Sequence, residues 1–210
     1  MTLYEKYRPI SLDTFLGQPK ATAVARRLMA SAPEGTESVV IAGPSGTGKT
    51  TLARIISHAW ALDAPLIELD GDACTVEVIR EIRETLRYTP LRGLAYIINE
   101  YHAMTPKAVQ ASLTLLEAMP RRCVILFTTT EEPSDMFGNF AGPFESRCKV
   151  IRFTNQALSD TMAARALEIA RLEGMDGRPL SQYKRLVQDC HNNFRMVLQK
   201  IDAGEMLAES

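Results

Sequence analysis

A glycine-rich loop between a strand-length apolar run and a helix-prone segment most constrains the fold of this chain. The loop reads GPSGTGKT over residues 43–50, after the largely apolar residues 38–42 and before the run 51–60. Glycines let backbone N–H groups converge on an anion at a helix N-terminus, where the helix dipole also favours negative charge. The pattern therefore predicts a strand, a phosphate-binding loop and a helix in that order.

Further apolar runs of strand length follow the loop, separated by segments whose apolar residues lie three or four positions apart. We predict strands at residues 38–43, 65–70, 94–99, 123–130 and 148–153, and helices between them at 51–60, 75–88 and 106–119. Such alternation gives a parallel sheet covered by helices on both faces. The predicted fold class is α/β, with a five-stranded parallel sheet of the phosphate-loop NTPase type.

The strand pattern stops after residue 153. Amphipathic segments at 156–173, 180–190 and 194–203 predict three helices in the remaining sequence. We therefore expect an α/β nucleotide-binding domain at residues 1–154 and a small helical lid domain at residues 155–210.

Composition favours a globular intracellular protein. Of 210 residues, 46% are hydrophobic and 23% are charged, and no apolar stretch approaches the roughly 18 residues of a membrane span. The N-terminus has no apolar signal region, so we expect a cytoplasmic or otherwise intracellular chain without a membrane partner. Four widely separated cysteines favour buried thiols over a zinc or redox site. The formal net charge of −1 restricts any nucleic-acid contact to a local basic patch.

The loop predicts a nucleoside triphosphate and Mg²⁺ as cofactors, with Lys49 reaching the β and γ phosphates and Thr50 holding the metal. Hydrolysis also needs acidic residues at the end of a neighbouring strand, and the predicted strand 94–99 ends in Asn99 and Glu100. Glu100 is the candidate that polarises the attacking water. Asn99 is the second metal candidate and stands where most such enzymes have aspartate, so we expect weaker Mg²⁺ binding and slow turnover. The alternative is that this pair only caps a buried strand.

The other nucleotide-binding candidates are the remaining loop residues and the one that follows them: Gly43, Pro44, Ser45, Gly46, Thr47, Gly48 and Thr51.

Several short motifs fall in the order and spacing of one ATPase family. They are residues 4–9 (YEKYRP), 15–18 (FLGQ), 43–50, 99–105 (NEYHAMT), 128–130 (TTT), 145–148 (ESRC) and 193–195 (NFR). With these motifs the chain resembles the AAA+ clamp-loader ATPase subunits, which include replication factor C small subunits, phage clamp loaders and the bacterial tau/gamma subunit. The resemblance covers about residues 3–203. The collar domain of that family has no counterpart in the sequence, so we expect assembly through the nucleotide interface alone or on another protein.

The resemblance implies a role for each matched residue. The residues implied to bind adenine and ribose are Tyr7, Arg8 and Pro9. Thr130, or Thr129 beside it, matches the first sensor, which holds the γ-phosphate or the attacking water. Arg147 matches the arginine finger, which enters the nucleotide site of a neighbouring subunit, and Arg195 matches the second sensor in the lid. A surface salt bridge is the alternative for each arginine.

A DNA contact is implied at the predicted helix 75–88. Arg80, Arg83 and Arg87 form one stripe on this helix, which in clamp loaders lines the chamber that holds the template strand. Thr105 and Lys107, at the start of the next helix, are candidates for a further phosphate contact. The interleaved glutamates leave a solvated, salt-bridged face as the alternative.

The resemblance thus implies an ATP-hydrolysing subunit that joins like or related AAA+ subunits on primer-template DNA and acts on a sliding clamp in DNA replication. Two alternatives stay open at this stage. One is an ATP-gated assembly or adaptor module with little hydrolysis, and the other is an AAA+ helicase-loader or branch-migration relative.

Overall fold

The structure is a computed structural model that describes residues 1–32, 34–61, 66–87, 93–132, 141–154 and 159–207. The chain divides into two compact units. The sheet unit consists of Pro19–Gly43 and Lys49–Phe153, and the lid unit consists of Met1–Gln18, Pro44–Gly48 and Thr154–Ser210. The division into functional domains at residues 1–154 and 155–210 stays a prediction.

The sheet unit contains a five-stranded parallel sheet in the order β2-β3-β4-β1-β5. The strands are β1 (Thr36–Ala42), β2 (Ile67–Asp70), β3 (Leu94–Asn99), β4 (Cys123–Thr129) and β5 (Lys149–Arg152). Every residue of β4 and all but the first of β3 are buried, as a parallel strand covered on both faces requires. The predicted fold class is confirmed.

The six predicted helices begin and end close to the predicted positions, and the described part of the chain contains further helices. Together they are α1 (Leu3–Lys6), α2 (Pro19–Ser31), α3 (Lys49–Ala61), α4 (Val76–Leu86), α5 (Pro106–Glu117), α6 (Ala141–Arg147), α7 (Ser159–Leu172), α8 (Leu180–Asp189) and α9 (Phe194–Asp202). The helix predicted from residue 156 is observed from Ser159, because residues 155–158 lie outside the described residues. Helices α1, α2 and α6 were not predicted.

Parallel pairing brings the carboxyl ends of the central strands to one edge of the sheet. Ala42 of β1 pairs with Thr129 of β4, and Asp70 of β2 pairs with Asn99 of β3. Ligands of open parallel sheets bind outside these carboxyl ends. This register therefore sets the end of β1, from which the loop departs, beside the polar residues that end β4.

An aromatic cluster anchors the chain just beyond β3. Tyr101, in a 3-10 turn (Tyr101–Ala103), stacks on Phe144 of α6 with ring centroids 5.2 Å apart. Phe127 of β4 meets both rings edge-on, at 5.5 and 4.9 Å. All three side chains are fully buried, and such aromatic pairs stabilise a core beyond their buried area. The cluster fixes the residue after Glu100 and the helix that carries Arg147.

The lid unit packs α7, α8 and α9 around an apolar core that includes Leu3 of α1. Ile169, Tyr183 and Val197 are fully buried there, one from each of the three lid helices. The three predicted lid helices are thus observed, with the short N-terminal helix added to them.

The four cysteines are free and buried, as predicted. None of the helices in the described ranges is long and apolar enough to cross a membrane.

Candidate functional site

The loop after β1 takes the form that its glycines predict. Gly43 has a φ of 149°, and an added Cβ would lie 2.7 Å from Cβ of Phe153, so only glycine fits there. Lys49 begins α3 and is buried, and its Nζ donates a hydrogen bond to the carbonyl of Gly43 at 2.8 Å. The buried ammonium group therefore lies inside the loop, at the N-terminus of a 13-residue helix.

The tip of the loop belongs to the lid unit. Gly46 has a φ of 74°, and a Cβ at this residue would overlap the side chain of Asn193. Asn193 caps α9, because its Oδ1 accepts a hydrogen bond from the backbone N–H of Met196 at 3.2 Å. The loop tip thus lies against the N-terminus of the helix that carries Arg195.

The other loop residues are placed as follows. The Thr47 hydroxyl donates to the carbonyl of Pro44 at 2.7 Å, Ser45 is exposed, Gly48 is partly buried, and Thr51 lies in the first turn of α3.

The two predicted metal residues lie side by side. The Thr50 hydroxyl donates to Oδ1 of Asn99 at 3.1 Å, and the Thr128 hydroxyl donates to the same oxygen at 3.0 Å. Mg²⁺ prefers oxygen ligands and is commonly held by one or two protein groups together with waters and substrate phosphates. The described residues contain no cluster of three or more His, Cys, Asp or Glu that could hold a metal by itself. The Thr50 and Asn99 oxygens therefore suit Mg²⁺ bound in that manner.

Sequence reasoning missed Glu68, which lies on β2 beside Asn99. Nδ2 of Asn99 donates to Oε1 of Glu68 at 2.6 Å, and Nε of Arg54 donates to Oε2 of the same carboxylate at 2.8 Å. Arg54 lies one helical turn after Thr50 on α3. The only signal in the sequence was a glutamate between two apolar residues of β2, and its partner depends on the register between β2 and β3.

Glu100 has an unusual backbone conformation. Its φ of 47° and ψ of 48° are left-handed, which is uncommon for residues other than glycine, and such positions concentrate at functional sites. Its backbone N–H donates to the Thr128 hydroxyl at 3.3 Å. Its carboxylate Oε2 lies 3.4 Å from the Thr130 hydroxyl and 3.5 Å from Nδ1 of His102.

The structure separates the two candidates for the first sensor. Thr130 is exposed, and its hydroxyl faces the carboxylate of Glu100. Thr129 is buried, and its hydroxyl contacts Nδ1 of His102 at 3.1 Å and accepts from the backbone N–H of Glu131 at 3.0 Å. The Thr130 hydroxyl therefore contacts the candidate catalytic carboxylate, and the Thr129 hydroxyl contacts His102.

The segment expected to bind the base lies in the lid unit, with Tyr7, Arg8 and Pro9 all partly buried. The Tyr7 hydroxyl donates to Glu173, and Lys6 donates to the same carboxylate at 2.7 Å. The hydrogen bond to Glu173 raises the pKa of Tyr7, and the hydrogen bond from Lys6 lowers the pKa of Glu173. This ion pair joins the start of the chain to the end of α7.

Two further contacts order the same unit. Gln18 pairs with Thr154 as a strand residue would, with Nε2 donating to the Thr154 carbonyl at 2.6 Å and Oε1 accepting from its N–H at 3.2 Å. Arg195 is exposed, and its guanidinium lies over the ring of Tyr4 at 5.4 Å, while that of Arg8 lies 5.9 Å from the same ring. Tyr4 thus contacts both arginines.

Arg147 ends α6 and pairs with Glu117 at the end of α5. Its Nε donates to Oε1 of Glu117 at 3.0 Å, Nη2 donates to the same oxygen, and Nη1 donates to the carbonyl of Pro143 at 2.7 Å. The salt-bridge alternative is therefore present in the single subunit. Such exposed pairs contribute only about 0–1 kcal/mol, so Arg147 can exchange this partner for another.

The arginine stripe on α4 is only partly paired with glutamates. Arg87 contacts Glu84 at 2.8 Å, whereas Arg80 and Arg83 have no ion pair with any residue that the structure describes. At the start of α5, the Thr105 hydroxyl accepts from the N–H of Ala108 at 3.3 Å, and Lys107 is exposed. Arg80 nevertheless interacts electrostatically with Glu77, so the salt-bridged alternative applies to Arg87 and in part to Arg80.

Comparisons with known proteins agree with this geometry. Residues 39–171 match the model of the ATPase family associated with various cellular activities (AAA). The chain is 29% identical to DNA polymerase III subunit gamma/tau of Mycoplasma pneumoniae, over 82% of this chain and 28% of that protein. It is 30% identical to replication factor C small subunit 1 of Pyrobaculum arsenaticum, over 83% of this chain and 53% of that protein.

The fold also matches the RuvB Holliday junction branch migration motor of Thermotoga maritima. The TM-score is 0.73 at 21% identity, covering 93% of this chain and 64% of that one. The chain spans less than a third of the length of the gamma/tau subunits that it matches. The family match, the relatives and the fold together show that this chain belongs to the AAA ATPase family and resembles its clamp-loader subunits.

Proposed function

We propose that this chain is an ATP-hydrolysing AAA+ subunit of clamp-loader type, which assembles with like or related subunits on primer-template DNA during replication. One observation carries the proposal. The hydrogen bond from Thr50 to Asn99 joins the phosphate-binding loop to the end of β3, and the next residue, Glu100, directs its carboxylate toward Thr130. Thr50, which ends the loop motif, is thus joined to Asn99, and the adjacent Glu100 is joined to Thr130, all within the sheet unit.

Nucleotide binding rests on the loop and the segments around it. Lys49 exchanges the carbonyl of Gly43 for the β and γ phosphates, and Thr50 and Asn99 are the residues that would hold Mg²⁺. When bound, Mg²⁺ would neutralise negative charge that develops on the phosphates during hydrolysis. The residues that we assign to adenine and ribose are Tyr7, Arg8 and Pro9, and Arg195 is assigned to the γ-phosphate.

Hydrolysis is assigned to Glu100, which orients the attacking water, with Thr130 as its partner. A carboxylate only accepts hydrogen bonds, so it can hold a water through its proton and direct the oxygen at the phosphorus. Asn99 contributes no negative charge, and for that reason we expect turnover to be slow.

Arg147 is assigned to the nucleotide of a neighbouring subunit. Arginine fingers supplied in trans raise the rate of those NTPases that use them by about 10³–10⁵. In the single subunit Arg147 bonds to Glu117, so assembly must exchange this contact for the γ-phosphate of the neighbour. Activity should accordingly depend on protein concentration.

DNA is assigned to the stripe on α4, with Arg80 and Arg83 as the main contacts and Arg87, Thr105 and Lys107 as secondary ones. Each site is weak by itself, but repetition over several subunits makes binding strong and dependent on salt. The sliding clamp is the proposed protein partner.

The direct test is the steady-state ATPase rate of the purified chain across protein concentrations, with and without primer-template DNA. The variants are Lys49→Ala and Arg147→Ala, with Arg185→Ala as the control, since Arg185 is an exposed arginine of α8 with only a 3.9 Å contact to Asp189. We expect a rate that rises with protein concentration and DNA and falls in the first two variants alone. Tight ATP binding without turnover under every condition would refute the motor and leave an ATP-gated assembly module.

A further inference from the structure

We propose that Glu68 is a positioning residue of the nucleotide site. It orients the Asn99 amide and supplies from β2 the negative charge that an aspartate would supply from β3. This inference deepens the proposed function and rests on it, because it concerns the same Mg²⁺ and ATP.

The first argument is the direction of the amide. Oδ1 of Asn99 accepts from two hydroxyls, those of Thr50 at 3.1 Å and Thr128 at 3.0 Å, while Nδ2 donates to Glu68 at 2.6 Å. An ionised carboxylate accepts hydrogen bonds and cannot donate them, so it pairs with the NH₂ end of the amide only. A rotated amide would set its oxygen against the Glu68 carboxylate. Glu68 therefore keeps the oxygen of Asn99 facing Thr50.

The second argument is charge. The Asn99 amide bonds to Glu68 through its nitrogen and to the Thr50 hydroxyl through its oxygen. A single amide group therefore separates the Glu68 carboxylate from that hydroxyl. The Glu68 side chain is 23% exposed, so solvent screens its charge only in part. Its other oxygen bonds to Arg54, which keeps the carboxylate directed toward Asn99. The site therefore retains a nearby carboxylate, displaced from β3 to the neighbouring strand, and the Arg54 guanidinium offsets part of its charge.

The contact between Glu68 and Asn99 predicts what the substitution Asn99→Asp should do. An aspartate at this position would bring a second carboxylate oxygen to the place where Nδ2 now contacts Glu68, and two carboxylates at that distance repel each other. The substitution alone should harm the site, although it restores the residue usual in such ATPases. Asn99→Asp combined with Glu68→Gln should restore the site, because one amide then faces one carboxylate again.

The test compares the wild type with E68Q, N99D and the double variant E68Q/N99D. The control is E37Q, which removes a carboxylate from an ion pair with Lys149 at the far end of the sheet. One measurement is the Tm of the nucleotide-free protein. The other is the Kd for a fluorescent ATP analogue with and without Mg²⁺, which reports how far the metal tightens binding.

We expect N99D to lower the Tm by at least about 3 °C and the double variant to recover most of that loss. We expect E68Q and N99D each to reduce about tenfold the factor by which Mg²⁺ tightens binding of the ATP analogue, because loss of a residue that orients a metal ligand commonly has an effect of this size. The double variant should regain the wild-type factor. If N99D does not fold, recovery of folding by E68Q is the expected result. E37Q should leave the tightening unchanged.

If N99D changed the Tm and the Mg²⁺ dependence of the Kd equally with and without E68Q, the proposal would be overturned. Glu68 would then be only the ion-pair partner of Arg54. An increase in Mg²⁺ tightening by N99D alone would overturn it as well. Failure of the wild type to bind the ATP analogue would refute the proposed function itself, an outcome distinct from the other two.

Discussion

The contact between the loop tip and α9 gives a prediction whose size follows from the structure. Gly46→Ala adds a Cβ at a φ of 74°, and the left-handed conformation disfavours a residue with a side chain by about 1–2 kcal/mol. The Cβ also overlaps the side chain of Asn193, which must move away from the N–H of Met196. Loss of such a cap costs about 1 kcal/mol. We expect a loss of about 2–3 kcal/mol in all.

The assay is thermal unfolding of the nucleotide-free protein. For a chain of this size 1 kcal/mol changes the Tm by about 2–4 °C, so Gly46→Ala should lower it by about 4–12 °C. The matched control is Gly142→Ala, because a Cβ at Gly142 meets no atom within 4 Å. Its Tm should stay constant or rise, since alanine is the better helix former.

A double-mutant cycle separates the two causes. In an Asn193→Ala background the overlap is gone and the cap is already removed, so Gly46→Ala should cost about 1 kcal/mol less than in the wild type. Equal costs in the two backgrounds would refute the contact with Asn193. A Tm of Gly46→Ala no lower than that of Gly142→Ala would refute the whole argument.

Other predictions concern the arginines and the thiols. Glu117→Gln should free Arg147 and raise the ATPase rate at limiting protein concentration about two- to fivefold, since an exposed pair contributes at most about 1 kcal/mol; an unchanged rate would contradict this. Arg80→Ala and Arg83→Ala should each weaken DNA binding. Each should also reduce the magnitude of the slope of log K for DNA binding against log salt concentration by about 0.9 for each phosphate that is no longer neutralised, and Arg87→Ala should change that slope less. Burial raises the pKa of Cys74 and Cys123 to about 11 and of Cys148 to about 12, so iodoacetamide at pH 8 should modify these thiols only after unfolding, and rapid modification of the folded protein would contradict their burial.

The sheet could be predicted from the sequence because buried parallel strands read as continuous apolar runs. All five strands lie where such runs predicted them, and α5 begins at the predicted residue 106, with Thr105 as its N-cap. Helix α6 was not predicted, because it is short and contains glycine and proline, which normally mark turns.

The sequence indicated that Thr50 and Asn99 lie together because each belongs to a recognisable motif, but Glu68 belongs to none. The pairing of Glu68 with Asn99 spans 31 positions and depends on strand register, which the sequence does not state. The contacts around the end of β4 follow the alternation of a strand. Thr128 and Thr130 lie two residues apart and both contact Glu100, whereas Thr129 contacts His102. The role of Thr130 as the first sensor stays a prediction.

The central claim, a nucleotide site completed by Arg147 of a neighbouring subunit, has a direct test in mixing. Glu100→Gln and Arg147→Ala should each be nearly inactive as ATPases in the presence of primer-template DNA. In a 1:1 mixture about a quarter of the interfaces combine an intact Glu100 with an intact Arg147, because the contact between subunits is head-to-tail. We predict that the mixture recovers about a quarter of the wild-type rate. A mixture as inactive as its two components, although subunit exchange is complete, would contradict a finger supplied in trans.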